Sequence, residues 1–204
     1  LQRASSEWVQ PGWVAYDVGA NIGYISLLLA NAVGDDGQVF SFEALPSNVE
    51  RLEMNLVLNA LKPRVQLIHG AVGSTLTPVR FLIGPSEAMG KVAGSAGRTE
   101  GHRESIEVPG YALDDFVFQQ GNPPPQVIKM DIEGGEVLAL PGMQRVLAEY
   151  RPLIFLELHG HEAAQVAWNI LTEHGYQIAN MQSGYPVIAS LEELDWKAYL
   201  VAFL

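Results

Sequence analysis

The chain alternates short apolar runs with segments whose apolar positions recur every three or four residues. The runs at 13–18, 38–42, 65–69, 127–130 and 153–156 are nearly continuous, as in strands buried on both faces. Between them the pattern predicts a helix over 24–32, ended by Gly34 and Gly37. A second helix follows Pro46, marked by Leu52, Leu56 and Leu58, and fades near Asn59. Further helices are expected over 136–149 and 161–174, and strands at 177–181 and 199–203 finish the sheet. Residues 79–83 and 105–108 alternate like a half-exposed antiparallel pair. Strand–helix alternation of this kind predicts an α/β fold, a doubly wound and mostly parallel layered sandwich, with no internal repeat.

Two stretches break the pattern. Residues 84–101 are rich in Gly, Ser and Ala without an apolar period, and read either as an active-site lid or as a disordered insertion. Residues 121–125, Gly-Asn-Pro-Pro-Pro, form a rigid lead-in to the next strand.

The turn after the first strand carries the first candidate chemistry. Asp17-Val18-Gly19-Ala20-Asn21-Ile22-Gly23 brings an acidic strand end and two glycines to a helix start, where a backbone can approach a ligand closely. A dinucleotide fingerprint wants G-x-G-x-x-G, and Asn21 holds the middle position here. Asp17 can instead order the turn or meet a cationic amine, such as the ammonium of S-adenosylmethionine. Glu43, closing the next strand, is placed to accept hydrogen bonds from both hydroxyls of a ribose. A tight strand–helix turn without any ligand is the plainer alternative.

The second constellation is Lys129-Met130-Asp131-Ile132-Glu133-Gly134-Gly135-Glu136. Three carboxylates and a lysine at a strand end are costly to bury unless paired or bound to something. Asp131 and Glu133 can contact a cofactor, act as general base toward a hydroxyl or ligate a hard cation. Glu136 in a helix's first turn is accounted for by the helix dipole.

Five blocks in order now carry a resemblance: Asp17 to Gly23, Phe42-Glu43 to Pro46-Ser47-Asn48, Leu113-Asp114-Asp115, Lys129 to Gly134, and Leu156-Glu157-Leu158-His159. Together they closely resemble the FkbM-type methyltransferases, class I enzymes dependent on S-adenosylmethionine. The resemblance spans roughly residues 13–181 and departs at Gly135, where the family often has Ala or an aromatic residue. It implies a Rossmann-like three-layer α/β/α sandwich whose seven-stranded sheet has an antiparallel last strand. It also implies methyl transfer, usually to oxygen, with S-adenosylhomocysteine as product. Carried over, Asp17, Gly19, Ala20, Asn21 and Gly23 bind the methionine part and Glu43 the ribose. His69, Gly70 and Ala71 lie beside the adenine, and Asp131 faces the methyl-transfer site.

His159 ends a strand at the same edge, and its ordinary pKa suits proton abstraction. It reads as a base or acceptor-orienting group, oriented by Glu157, or as a hydrogen-bonded loop residue before a helix. His69, His102 and His174 read as structural or solvent-facing, apart from the place the resemblance gives His69. The four tryptophans read as packing, and no Ser sits on a G-x-S-x-G elbow.

Composition narrows the partners. The 204 residues, 48% hydrophobic, suit a single domain over 1–204. A net charge of −11 disfavours nucleic acid and anionic membranes, leaving a small molecule, sugar or protein. Zero cysteines exclude disulfides and thiolate metal sites. No apolar run reaches the ~18 residues of a membrane span. The lack of an initial Met suggests a trimmed N-terminus, and without a secretory core in view a cytoplasmic location is expected.

The expectation is an O-methyltransferase acting on a sugar or small molecule. Asp131, His159 or Glu133 serve the chemistry, and a divalent metal at Asp131 and Glu133 is conceivable but not favoured. The alternatives are a non-catalytic S-adenosylmethionine-binding scaffold and an NAD-dependent oxidoreductase.

Overall fold

Apolar runs too short for helices and rich in β-branched residues become the inner strands, and the periodic segments between them cover both faces. The computed structural model describes residues 1–84, 90–96 and 104–204. In chain order these form α1 (Gln2–Trp8), β1 (Val14–Val18), α2 (Tyr24–Val33), β2 (Gln38–Glu43), α3 (Pro46–Leu58) and β3 (Val65–His69). Next come the short strands β4 (Ala71–Val72), β5 (Val79–Ile83), β6 (Gly90–Val92), β7 (Glu104–Val108) and β8 (Gly110–Tyr111). The rest comprises α4 (Leu113–Phe118), β9 (Val127–Met130), α5 (Glu136–Ala139), α6 (Gln144–Glu149), β10 (Leu153–Glu157), α7 (His161–Glu173), β11 (Gln177–Asn180) and β12 (Tyr199–Phe203). No helix among the described residues is long and apolar enough to cross a membrane.

The main sheet has seven strands in the order β11-β12-β10-β9-β1-β2-β3. Neighbours from β10 to β3 run parallel, whereas β12 is antiparallel to both β10 and β11. The expected α/β sheet with an antiparallel last strand is therefore present. That strand is inserted one place in from the edge. Chain order turns back between β1 and β9, and the carboxyl ends there open a crevice, the usual ligand position of open α/β sheets.

The pleat sorts the side chains. Tyr16 and Val18 face one layer with Phe40, Phe42, Phe116 and Met130, while Ala15 faces the other with Leu29, Val33, Leu52 and Leu56. The Tyr16 ring meets Phe40 at 5.3 Å and Phe116 at 5.7 Å between centroids. Its hydroxyl donates to the Pro123 carbonyl at 2.7 Å, which ties down the proline-rich lead-in. Burial pushes the Tyr16 phenol well above its ordinary pKa.

Three expectations need correction. The helix over 136–149 is broken into α5, a 3-10 turn at Leu140–Met143, and α6. Pro141 has no N–H to give and its ring crowds the preceding turn. The Asp114 carboxylate then accepts from the N–H groups of Arg145 (3.0 Å) and Val146 (2.8 Å), restarting the helix as a cap supplied from α4. The 84–101 stretch is not wholly irregular, since β6 pairs antiparallel with β5, which pairs with β7 as expected. The rest of that stretch, and His102, lie outside the described residues. Finally, residues 2–8, to which the apolar pattern assigns no element, form α1, which packs on α2, with Trp8 against Phe203 at 5.1 Å.

Candidate active site

The turn after β1 is shaped by a close approach. Gly19 has φ 77°, and a Cβ there would stand 2.0 Å from the Asp131 carbonyl oxygen, so no other residue fits. The N–H groups of Gly19 and Ala20 donate to the Phe42 carbonyl at 3.1 and 2.9 Å, which locks the turn to the end of β2. Glu43, the last residue of β2, accepts from Asn21 N–H at Oε2 (2.7 Å) and from Leu45 N–H at Oε1 (2.8 Å). Its burial raises the carboxyl's pKa, while these hydrogen bonds and Lys129 work against that rise.

These loops frame a cleft at the carboxyl ends of the strands, partly open to solvent. Gly19, Asn21, Glu43, Gly70 and Ala71 line it from the β1–β3 side, and Asp131 and Glu133 from the end of β9. Phe42, Leu45, Phe81 and Val92 supply an apolar wall. Asn21 and Glu133 both hold left-handed backbone, φ 52° and 53°. Such conformations cost of order 1–3 kcal/mol in non-glycine residues and gather at ligand sites. Asn48 also lines the cleft, and its Oδ1 is buried without a hydrogen-bond partner. The sequence quoted Asn48 as part of a block but gave it no role. The fold sets it beside Glu43, whose Oε1 its side-chain amide approaches at 3.5 Å.

Four expected site residues stand elsewhere. Asp17 is fully buried behind the turn, 3.0 Å from Lys129 Nζ and bonded by the Ser26 hydroxyl at 2.7 Å. Lys129 also donates to the carbonyls of Gly19 (2.7 Å) and Val18 (3.3 Å), and Ser41 donates to Ser26 at 2.8 Å. Asp17 thus orders the turn, the alternative left open by the sequence. Gly23 has φ 94°, and a Cβ there would fall 2.1 Å from Leu52 Cδ1. Its constraint is packing of α2 on α3. Ala20 is buried beneath the turn. His69 Nε2 lies 3.1 Å from the Ala44 carbonyl, and His69 does not line the cleft, whereas Ala44, Gly70 and Ala71 do.

Beside the cleft lies an acidic cluster around His159. Its Nε2 is 3.7 Å from Asp131 Oδ1, 3.8 Å from Glu133 Oε2 and 3.7 Å from Glu157 Oε1. Nδ1 faces Glu136 Oε1 at 3.4 Å. Burial disfavours the charged imidazole, but the close contact with Glu136 and the charges of Glu136, Glu133 and Asp131 outweigh it and lift its pKa to about 9. The direction favours the protonated ring, where the sequence reading took the ordinary imidazole pKa as suited to proton abstraction. Glu136, with 0% exposure, is a buried partner of His159 as well as a first-turn helix residue. The orienting carboxylate is thus Glu136, where Glu157 was expected. Glu157 lies opposite Tyr199 across β10 and β12. Burial and the neighbouring Asp131 raise its pKa, and bonding to Glu157 pushes the Tyr199 phenol up to about 12.

A hexuronic acid methyltransferase, AglP, from Haloferax volcanii is 29% identical over 160 residues, 78% of this chain and 62% of its own length. A methyltransferase FkbM from Methylobacillus flagellatus KT superposes with a TM-score of 0.62 at 20% identity, covering 94% of this chain and 43% of that one. A fibrillarin from Aeropyrum pernix, solved with S-adenosyl-L-methionine, gives a TM-score of 0.55 at 10% identity over 96% and 68% of the two chains. The chain thus spans less than two thirds of the first two proteins it matches. Residues 17–178 match the Methyltransferase FkbM domain, a span that begins at Asp17 and takes in the glycine turn, Glu43, the β9 carboxylates and His159, and the chain belongs to that family.

Proposed function

We propose that the chain transfers a methyl group from S-adenosylmethionine to an oxygen of a sugar or related small-molecule acceptor. One observation carries this reading: the cleft at the sheet's turning point joins the glycine turn and Glu43 to a pair of carboxylates, in a chain of the FkbM family. In this reading the backbone of Gly19 to Asn21 receives the methionine part. Glu43, whose two oxygens keep spare lone pairs, takes the ribose hydroxyls, with Asn48 Oδ1 beside it. Gly70 and Ala71, with the apolar wall, flank the adenine. Asp131 and Glu133 face the acceptor. The acceptor oxygen attacks the methyl carbon in line and the carbon–sulfur bond breaks, its electron pair staying on sulfur. Holding the partners at near-attack distance is the protein's main contribution, and a cleft carboxylate takes the acceptor's proton.

The acceptor class leans on the name of the Haloferax volcanii relative, a hexuronic acid methyltransferase. Titration calorimetry with S-adenosylhomocysteine and with NAD, followed by a labelled-methyl assay over free and glycosidic hexoses and hexuronic acids, tests it. Tight binding of S-adenosylhomocysteine and label on a sugar are expected. Preference for NAD, or binding without turnover on any acceptor, would replace it with the oxidoreductase or scaffold reading.

A further inference from the structure

The cluster beside the cleft is built differently from the ion pairs elsewhere in the chain. Four carboxylates converge on one imidazole, yet none of its carboxylate contacts is shorter than 3.4 Å. Three oxygens, on Asp131, Glu133 and Glu157, surround Nε2 at 3.7–3.8 Å, too far for hydrogen bonds. One ligand atom from each of Asp131, Glu157 and His159 can be chosen so that all lie within 4.8 Å of one another. Ligands bound to a common ion at ~2.1 Å lie roughly 3–4 Å apart, so this spread needs only a small contraction.

A second observation points the same way. Glu136 is completely buried; its Oε1 accepts from the Ile132 N–H at 3.3 Å and lies 3.4 Å from Nδ1 of the ring, while its Oε2 and that Nδ1 have no hydrogen-bond partner. A carboxylate behind the remote nitrogen of a histidine sets which nitrogen keeps the proton and turns the other toward a metal. Here that other nitrogen is Nε2, the one aimed at the three oxygens.

We propose that Asp131, Glu157 and His159 Nε2 together hold one divalent cation, positioned by Glu136, on which the acceptor's oxygens bind. This rests on reading the cleft as a methyl-transfer site. A mixed set of imidazole and carboxylates suits a first-row divalent ion such as Mn²⁺ better than Ca²⁺, which takes oxygen ligands. The cation explains how an acidic site receives an acceptor that itself carries a carboxylate, as a hexuronic acid does: without it, like charges repel. Binding to the ion also acidifies the acceptor hydroxyl. Glu133, left outside the ligand set at the cleft wall, receives that proton as the oxygen attacks the methyl carbon and the sulfur departs.

The test needs no acceptor. Chelator-treated full chain is titrated with MnCl₂, free Mn²⁺ is read by electron paramagnetic resonance, and S-adenosylhomocysteine affinity is measured separately by calorimetry. One site of micromolar affinity is expected. Glu157→Gln and His159→Ala should each weaken Mn²⁺ at least tenfold, and Glu136→Gln by 10- to 100-fold, with S-adenosylhomocysteine affinity changed less than threefold. Retained cofactor affinity certifies that these variants fold. Glu50→Gln, on the exposed face of α3, should change neither. No saturable Mn²⁺ site below ~1 mM, or equal affinity in wild type and both ligand variants, overturns the proposal. Loss of S-adenosylhomocysteine binding in the wild type would instead sink the methyl-transfer reading and leave the Mn²⁺ result to stand alone.

Discussion

Two groups of charged residues sit within a few residues of each other along β9, and they are built on opposite plans. Behind the turn, Lys129, Asp17, Ser26 and Ser41 form a closed chain of contacts at 2.7–3.0 Å, with charge balanced one to one. In front of it, Asp131, Glu133, Glu136 and Glu157 share one imidazole at 3.4–3.8 Å. The first group is finished by the fold alone. The second is arranged for something the fold does not supply. Short, balanced contacts mark scaffolding, and long, unbalanced ones mark a site, even where both draw on the same strand.

The largest effect should come from opening the closed group. Lys129→Met leaves Asp17 as a buried charge without its partner, and removing one member of such a pair costs about 3–5 kcal/mol. Urea unfolding should show that loss. Adding Asp17→Asn should recover part of it, and a single variant as stable as wild type would put Asp17 and Lys129 in the same class as the front cluster.

Next in size is the boundary between the groups. Glu43→Ala removes charge-assisted hydrogen bonds worth roughly 1.5–3 kcal/mol, and S-adenosylhomocysteine affinity should fall accordingly in calorimetry. The same bonds also hold Asn21 and Leu45, so a modest fall in the melting temperature of the free protein is expected too. Unchanged affinity with a lower melting temperature would assign Glu43 wholly to scaffolding.

The smallest effect concerns the front group in chelator-treated protein. A histidine whose folded pKa is raised to about 9 contributes stability that is complete below its unfolded value near 6.5 and is lost as pH rises through 9. The shift and partial solvent screening together suggest roughly 1–3 kcal/mol between pH 6 and 10. His159→Gln should flatten that part of the stability profile. An identical slope in the variant would show that the imidazole is not held by its carboxylates.

The sequence made one group far more legible than the other. Strands β1, β2, β9 and β10 announce themselves because burial on both faces keeps them mostly apolar, with only a few buried polar residues such as Asp17, Ser41 and Lys129, and the turn follows from Gly19 between Asp17 and Asn21. Lys129 was visibly in need of a partner, but that partner, Asp17, lies 112 residues earlier and meets it only through parallel pairing of β1 with β9. The His159–Glu136 contact was hidden for the same reason. Helical position alone accounted for Glu136, and nothing local shows that α5 turns its first residue under the end of β10. The helix break was overlooked although Pro141 stands in plain view, because apolar spacing continues through it. Strands of two or three residues such as β4, β6 and β8 have too little sequence to carry a period.

The inserted position of β12 has a bearing on how the chain assembles in time. Among the sheet strands β11 is bonded to β12 alone, so it joins the sheet only once residues 199–203 exist, although it is made about twenty residues earlier and already pairs with residues 186–188. During synthesis the half of the sheet from β1 to β3 can pair in chain order, each strand finding the one before it already present. The β10 edge must wait exposed, with the acidic cluster at its end. The cofactor half is thereby able to form early, and a ribosome stalled before residue 199 should display the acidic cluster at an unpaired β10 edge, with Glu157 still lacking Tyr199 opposite it.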